Sequence, residues 1–156
     1  MGVPFELVQF HFHAPSEHTV ADRHLPMEIH FVHRSAAGKL AVLGVLVEKG
    51  PHNASFAPLA SALPKSEGSP KPLDQVAVNL GELLPKTRAI YRYEGSLTTP
   101  PCSEQVSWLV MKAPIELSAE QISTLAAALS DNSRPVQSSH GRSVVSDELA
   151  VRSSTN

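Results

Sequence analysis

The amino-acid sequence predicts a mainly β fold with a few peripheral helices, in a single domain over residues 1–156. Three observations lead there. Five stretches, at 5–13, 27–34, 40–47, 89–93 and 106–112, are rich in β-branched, aromatic or large aliphatic residues and have strand length. Helical signals are fewer and short. With 156 residues and 42% hydrophobic content, the chain is long enough to bury one core, and it contains no repeat that would suggest an array.

Taken in order, Met1-Gly2-Val3-Pro4-Phe5-Glu6 lacks a charged start followed by an apolar stretch, so no signal peptide is expected in this sequence. The first strand ends Gln9-Phe10-His11-Phe12-His13. Side chains two apart on a strand share a face, so His11 and His13 project together while Phe10 and Phe12 point into a core. The loop from Ala14 to about Leu25 is long enough to reverse the chain, which lets the next strand pair antiparallel and bring His30 beside them. Glu28 and Val32 share the His30 face. The run 40–47, interrupted by Gly44, reads as a buried strand and falls far short of the roughly 20 residues that span a bilayer.

Further on, 54–63 is a short helix containing Pro58, and 65–72, with Ser66, Gly68, Ser69 and Pro70, is a loop. Ser118-Ala119-Glu120-Gln121 is a capping box that opens a helix reaching about Leu129. Residues 138–156 form a polar, Ser-rich C-terminal tail whose Val144-Val145 pair allows a short strand or a docked segment.

The formal net charge is only -2, with Lys and Arg scattered. There is no basic stripe for nucleic acid, no polybasic segment for a membrane surface and no membrane span, so charge points to no partner.

Three neutral imidazoles with an open fourth position describe a catalytic zinc site, because structural zinc is usually closed by four protein ligands, mostly cysteines. A lone His in a strand is more often a hydrogen-bonded core or surface residue. The metal reading gains from Gln9 and Glu28, each two residues before a histidine on the same face, since a metal-bound imidazole usually gives its other N–H to an amide or a carboxylate.

Downstream lies Gly95-Ser96-Leu97-Thr98-Thr99-Pro100-Pro101-Cys102, then Val106-Ser107-Trp108. Together with Gln9 to His13, Ser16-Glu17-His18-Thr19-Val20, Glu28-Ile29-His30-Phe31-Val32-His33, Leu40-Ala41-Val42-Leu43-Gly44 and Asn132-Ser133-Arg134-Pro135, this closely resembles the α-class carbonic anhydrases of bacterial type. The resemblance implies a twisted, largely antiparallel central sheet and zinc-dependent, sulfonamide-sensitive, reversible hydration of carbon dioxide to bicarbonate. It makes His11, His13 and His30 the Zn2+ ligands, with Gln9 and Glu28 orienting His11 and His30. Thr98 and Glu17 are then the catalytic pair that aligns the attacking hydroxide, the threonine accepting a hydrogen bond from it and donating its own O–H to a carboxylate that can only accept. Thr99 lines the polar side, and Val32, Val42, Leu97, Val106 and Trp108 form an apolar wall for the gas. His18 and His33 match buried, hydrogen-bonded positions, while His24, His52 and His140 read as solvated loop residues.

The family's domain begins well before the zinc strands, so the resemblance implies an N-terminal block of sheet edges and cavity wall that this sequence lacks. Either the sequence is a piece of a longer chain, or it is a short form that covers its exposed sheet as a homo-oligomer. Cys102 matches a cysteine that many secreted and periplasmic relatives bridge to that block, which implies an exported parent, periplasmic or secreted. Two competitors stand beside the enzyme. One is a catalytically impaired zinc-binding remnant or interaction module. The other is a cupin, in which Glu17 would be a fourth ligand, although the Gly expected around His24 is replaced and a cupin leaves Ser96 to Pro101 unexplained.

Overall fold

The computed structural model describes residues 2–63, 77–129 and 131–148. In chain order the strands are β1 (Phe5–His13), β2 (Thr19–Val20), β3 (Arg23–His24), β4 (Met27–Ser35), β5 (Leu40–Lys49), β6 (Ala89–Ser96), β7 (Glu104–Met111), β8 (Ile115–Leu117) and β9 (Val145–Glu148). The helices are α1 (Ala57–Ala62) and α2 (Ala119–Leu129), with single 3-10 turns at Ala54–Phe56 and Leu80–Leu83. The expected loop at 65–72, and the tail beyond 148, lie outside the described residues.

One seven-stranded sheet runs β1-β4-β5-β7-β6-β9, with β8 continuing alongside β5. Most neighbours are antiparallel, as expected, but β5 pairs in parallel with both β7 and β8. A parallel pair needs a long crossover, and the chain between β5 and β7 supplies it. In β4, β5 and β7 successive side chains alternate between two apolar clusters. Met27, Ile29, Phe31, Val45, Val47 and Met111 join Phe56 and Leu125 from the helical elements on one face. Val32, Val42, Leu46, Val106, Trp108 and Val110 pack together on the other. On β1 the same alternation sends Phe10 and Phe12 to the first cluster and leaves His11 and His13 on the opposite side.

Several elements differ from expectation. β6 continues through Ser96, three residues past the predicted end, and β7 starts at Glu104 and stops at Met111. The stretch 54–63 splits into a 3-10 turn and a six-residue α-helix, with Pro58 in the first turn, where its missing N–H costs nothing. The capping box forms as read: Gln121 N donates to Ser118 Oγ at 3.2 Å, and Ser118 N donates to Gln121 Oε1 at 3.1 Å. In the tail, β9 pairs with β6. The β2–β3 hairpin, which holds His24, lies inside what read as loop.

Candidate metal centre

Register brings the three histidines together. β1 and β4 are antiparallel with His11 directly opposite His30 and His13 opposite Glu28. Directly opposed residues on one face stand within side-chain reach, and His13 follows His11 by one pleat. The ring centroids are 4.9 Å apart for His11 and His13, 5.3 Å for His11 and His30, and 4.6 Å for His13 and His30. One nitrogen from each ring lies within 4.8 Å of the others. An irregularity between Leu7 and Gln9 puts an extra residue, Val8, into β1 at the cavity rim.

Each imidazole is held through its other nitrogen. His11 Nδ1 and Gln9 Oε1 are 2.9 Å apart, and His13 Nδ1 lies 3.2 Å from the Asn132 carbonyl oxygen. That leaves Nε2 free on both rings. His13 Nε2 is buried with no hydrogen-bond partner, an arrangement that costs free energy unless something else binds it. His30 turns the other way, with Nε2 3.0 Å from Glu28 Oε1 and Nδ1 3.9 Å from Glu17 Oε2. Its Nε2 is at hydrogen-bond distance from Glu28 but off the bonding line, so the contact is electrostatic. Three free nitrogens converging from neutral imidazoles fit a zinc-type ion.

Burial, and then the neighbouring imidazoles of His30 and His13, lower the His11 pKa to about 4. Burial and His30 push His13 in the same direction. Rings that resist protonation remain available as ligands at neutral pH. A second cluster, His18, Glu28 and His30, also comes within 4.8 Å, but its atoms are occupied. Glu28 Oε2 accepts from the amides of Glu17 and His18, and Glu28 Oε1 lies 2.6 Å from His18 Nδ1. Burial opposes charge on this pair; the attraction between His18 and Glu28 outweighs it, raising the His18 pKa and holding Glu28 well below the carboxylate range. His18 Nε2 is 2.7 Å from the Tyr93 hydroxyl. Burial, and then the Glu28 charge, raise the pKa of that tyrosine.

The remaining predicted residues fall around this centre. A cavity of about 270 Å³ is lined by His11, His30, Val32, Val42, Leu97, Thr98, Thr99 and Trp108, among others. Val106 is fully buried in the same apolar cluster, so it supports the wall from behind. Trp108 is fixed by its indole N–H, which donates to the Ser96 carbonyl at 3.0 Å. Thr98 also lines a second cavity, on the Glu17 side, of about 260 Å³. Glu17 Oε1 accepts from the Arg134 amide at 2.8 Å, while Oε2 is buried with no hydrogen-bond partner. The structure thus brings Glu17 and Thr98 to one cavity without a bond to Oε2.

His18 and His33 are both half-buried and both hydrogen-bonded, His18 to Glu28 and Tyr93 and His33 through Nδ1, 2.9 Å from the Phe31 carbonyl. His24, His52 and His140 are exposed, as read, although His24 lies in a strand and its Nδ1 is 2.6 Å from the Ser16 carbonyl. Two contributors escaped the sequence reading: the Asn132 carbonyl and the Arg134 amide. Both are backbone atoms, which no side-chain pattern signals. Cys102 is free and half-buried.

Comparison with known proteins follows the same lines. The family described as eukaryotic-type carbonic anhydrase matches residues 2–148. A carbonic anhydrase of Nostoc sp. is 43% identical over 141 residues, which cover 90% of this chain and 53% of the relative. A carbonic anhydrase of Klebsiella pneumoniae is 45% identical over 146 residues, covering 92% of this chain and 58% of the relative. The chain thus spans somewhat more than half the length of these relatives. Among solved structures, the α-carbonic anhydrase of Thermovibrio ammonificans in complex with the inhibitor sulfanilamide superposes with a TM-score of 0.87 at 46% identity, covering 92% of this chain and 63% of that one.

Proposed function

The chain belongs to the eukaryotic-type carbonic anhydrase family, and from that membership we propose that it holds zinc through His11, His13 and His30 and hydrates carbon dioxide reversibly to bicarbonate and a proton. The observation that carries this reading is the buried, unpartnered Nε2 of His13 beside the free nitrogens of two further imidazoles. Zinc, when bound, supplies Lewis acidity that brings the ionisation of water near neutral pH, an effect for which carbonic anhydrases are themselves the type case.

The chain's residues do the rest. Gln9 and the Asn132 carbonyl hold two imidazoles in orientation, and the Glu28 charge stands beside the third. An ionised carboxylate only accepts, so Glu17, anchored through Oε1 by the Arg134 amide, offers its free Oε2 to the Thr98 hydroxyl. With its O–H donated in a hydrogen bond to Glu17, Thr98 Oγ is left to accept, which sets the direction in which a reacting hydroxyl presents its lone pairs. Carbon dioxide carries neither net charge nor dipole, so an apolar wall of Val32, Val42, Leu97 and Trp108 is a suitable resting surface for it.

Each hydration releases one proton. Among the described residues, the cavity lining includes no histidine beyond His11 and His30 and no carboxylate. A buffer such as imidazole is expected to speed hydration by carrying that proton away. An aromatic sulfonamide is expected to occupy this cavity; the Thermovibrio relative was solved in complex with the inhibitor sulfanilamide. X-ray absorption of zinc-loaded protein tests the ligand set. Three imidazole nitrogens without carboxylate support it, and a Glu17 carboxylate bound beside them as a fourth protein ligand contradicts it and revives the cupin-like arrangement.

A further inference from the structure

Of the residues around the metal cavity, one has no part in the chemistry above. Arg34 follows Glu28, His30 and Val32 on the same face of β4, near the strand's end, and it lines the cavity. Four strand positions separate it from His30, about 13 Å at ~3.3 Å per residue. It is exposed, and it is the only residue with a permanent formal charge in that lining among the described residues. Its neighbours there include Val8, Leu40 and Leu97, which are apolar. Glu6 is its cross-strand partner on β1, yet no ion pair joins them; among the described residues the one arginine–carboxylate ion pair is Arg92 with Asp147, at 3.2 Å.

The proposed reaction gives this placement a consequence. Its carbon substrate is neutral and its carbon product is an anion, so a cation at the mouth acts on one of them and ignores the other. Low-dielectric walls around a single charge concentrate its field along the cavity. The chain as a whole is slightly acidic, at -2, so that field is local to the mouth.

We propose that Arg34 is an anion-guiding residue: it raises the affinity of the metal centre for monovalent anions, the bicarbonate product included, without touching the reacting atoms. The inference rests on the zinc reading above and deepens it. Taking the strand spacing of about 13 Å as the order of the separation between charge and centre, an effective dielectric between that of a protein surface and that of water corresponds to roughly a two- to eightfold change in anion affinity. The interaction is screened, because the Debye length is about 10 Å at 0.1 M salt and shorter above it.

The test is thiocyanate titration of the full chain loaded with cobalt(II), followed by visible absorption at low ionic strength, on wild type, Arg34→Gln, Arg34→Lys and Glu6→Gln. Arg34→Gln is expected to weaken thiocyanate binding by roughly two- to eightfold at equal cobalt content. Arg34→Lys should keep most of the affinity, and Glu6→Gln should leave it equal or tighter. The Arg34→Gln difference should vanish in about 0.5 M sodium sulfate. Equal thiocyanate affinity in wild type and Arg34→Gln, with equal cobalt spectra, overturns the inference and leaves the metal reading intact. Wild-type protein that takes up no cobalt overturns the metal reading, and this inference with it.

Discussion

Gly44 lies directly across from His30, and a methyl group on it would come within 2.8 Å of Glu28 Oε1. The space a side chain would occupy is filled by the carboxylate that bonds His18 and faces His30. Glu28 is fully buried and held by two amides, so it has little freedom to retreat.

Gly44→Ala should therefore strain the site from behind. We expect a loss of about 1–3 kcal/mol of stability, as for other overpacked cores. Zinc affinity should fall by roughly 10- to 100-fold, as when other groups that orient a metal ligand are disturbed. Thermal denaturation together with zinc titration checks both, and unchanged values would show that Glu28 shifts without consequence.

Glu17→Gln and Thr98→Ala should separate alignment from ligation. Both variants are expected to bind one zinc as tightly as wild type, and to lose roughly a hundredfold or more in hydration rate. Steady-state kinetics beside metal analysis reads the two apart. A Glu17→Gln protein that loses its zinc would make Glu17 a ligand.

The zinc-free protein should lose stability as pH falls. Folded His11 titrates at about 4, against an ordinary 6.5, and His13 is lowered too. Below about pH 6.5 the unfolded chain binds protons at these positions that the folded chain refuses, so stability declines toward pH 4. Glu28, held well below its ordinary 4.5, extends the loss to lower pH. His18 is raised, so its contribution is complete below 6.5 and fades as pH rises through its folded value. Urea midpoints should drop from pH 7 to pH 4.5, and a flat or rising midpoint would show that the imidazoles are not held neutral by the fold.

Ser118→Ala removes the hydroxyl that caps α2 and should cost about 1 kcal/mol. Zinc affinity should not change. Denaturant unfolding with zinc titration checks both, and a coupled loss of zinc would place α2 in mechanical contact with the site.

What was legible in the chain follows from periodicity and local chemistry. The alternation in Phe10-His11-Phe12-His13 assigns opposite faces before any partner is known, and β1 has the predicted ends. The capping box of α2 is a contact within four residues and forms as read. Long-range backbone contacts were not legible: the Asn132 carbonyl reaches His13 across 119 positions, and the Arg134 amide reaches Glu17 across 117. Nor did Gly44 announce its role, since a glycine in an apolar run reads as a weak point in a strand until Glu28 is seen against it. The parallel pairing of β5 with β7 was equally hidden, because strand composition does not reveal direction.

The most direct test of the account is carbon dioxide hydration followed by stopped flow on a folded sample whose zinc content is measured on the same aliquot. The account predicts about one zinc per chain by three-imidazole ligation, a hydration rate that rises with imidazole buffer concentration, and loss of both zinc and rate in His13→Ala. A folded chain that holds one zinc and hydrates carbon dioxide no faster than buffer would contradict it.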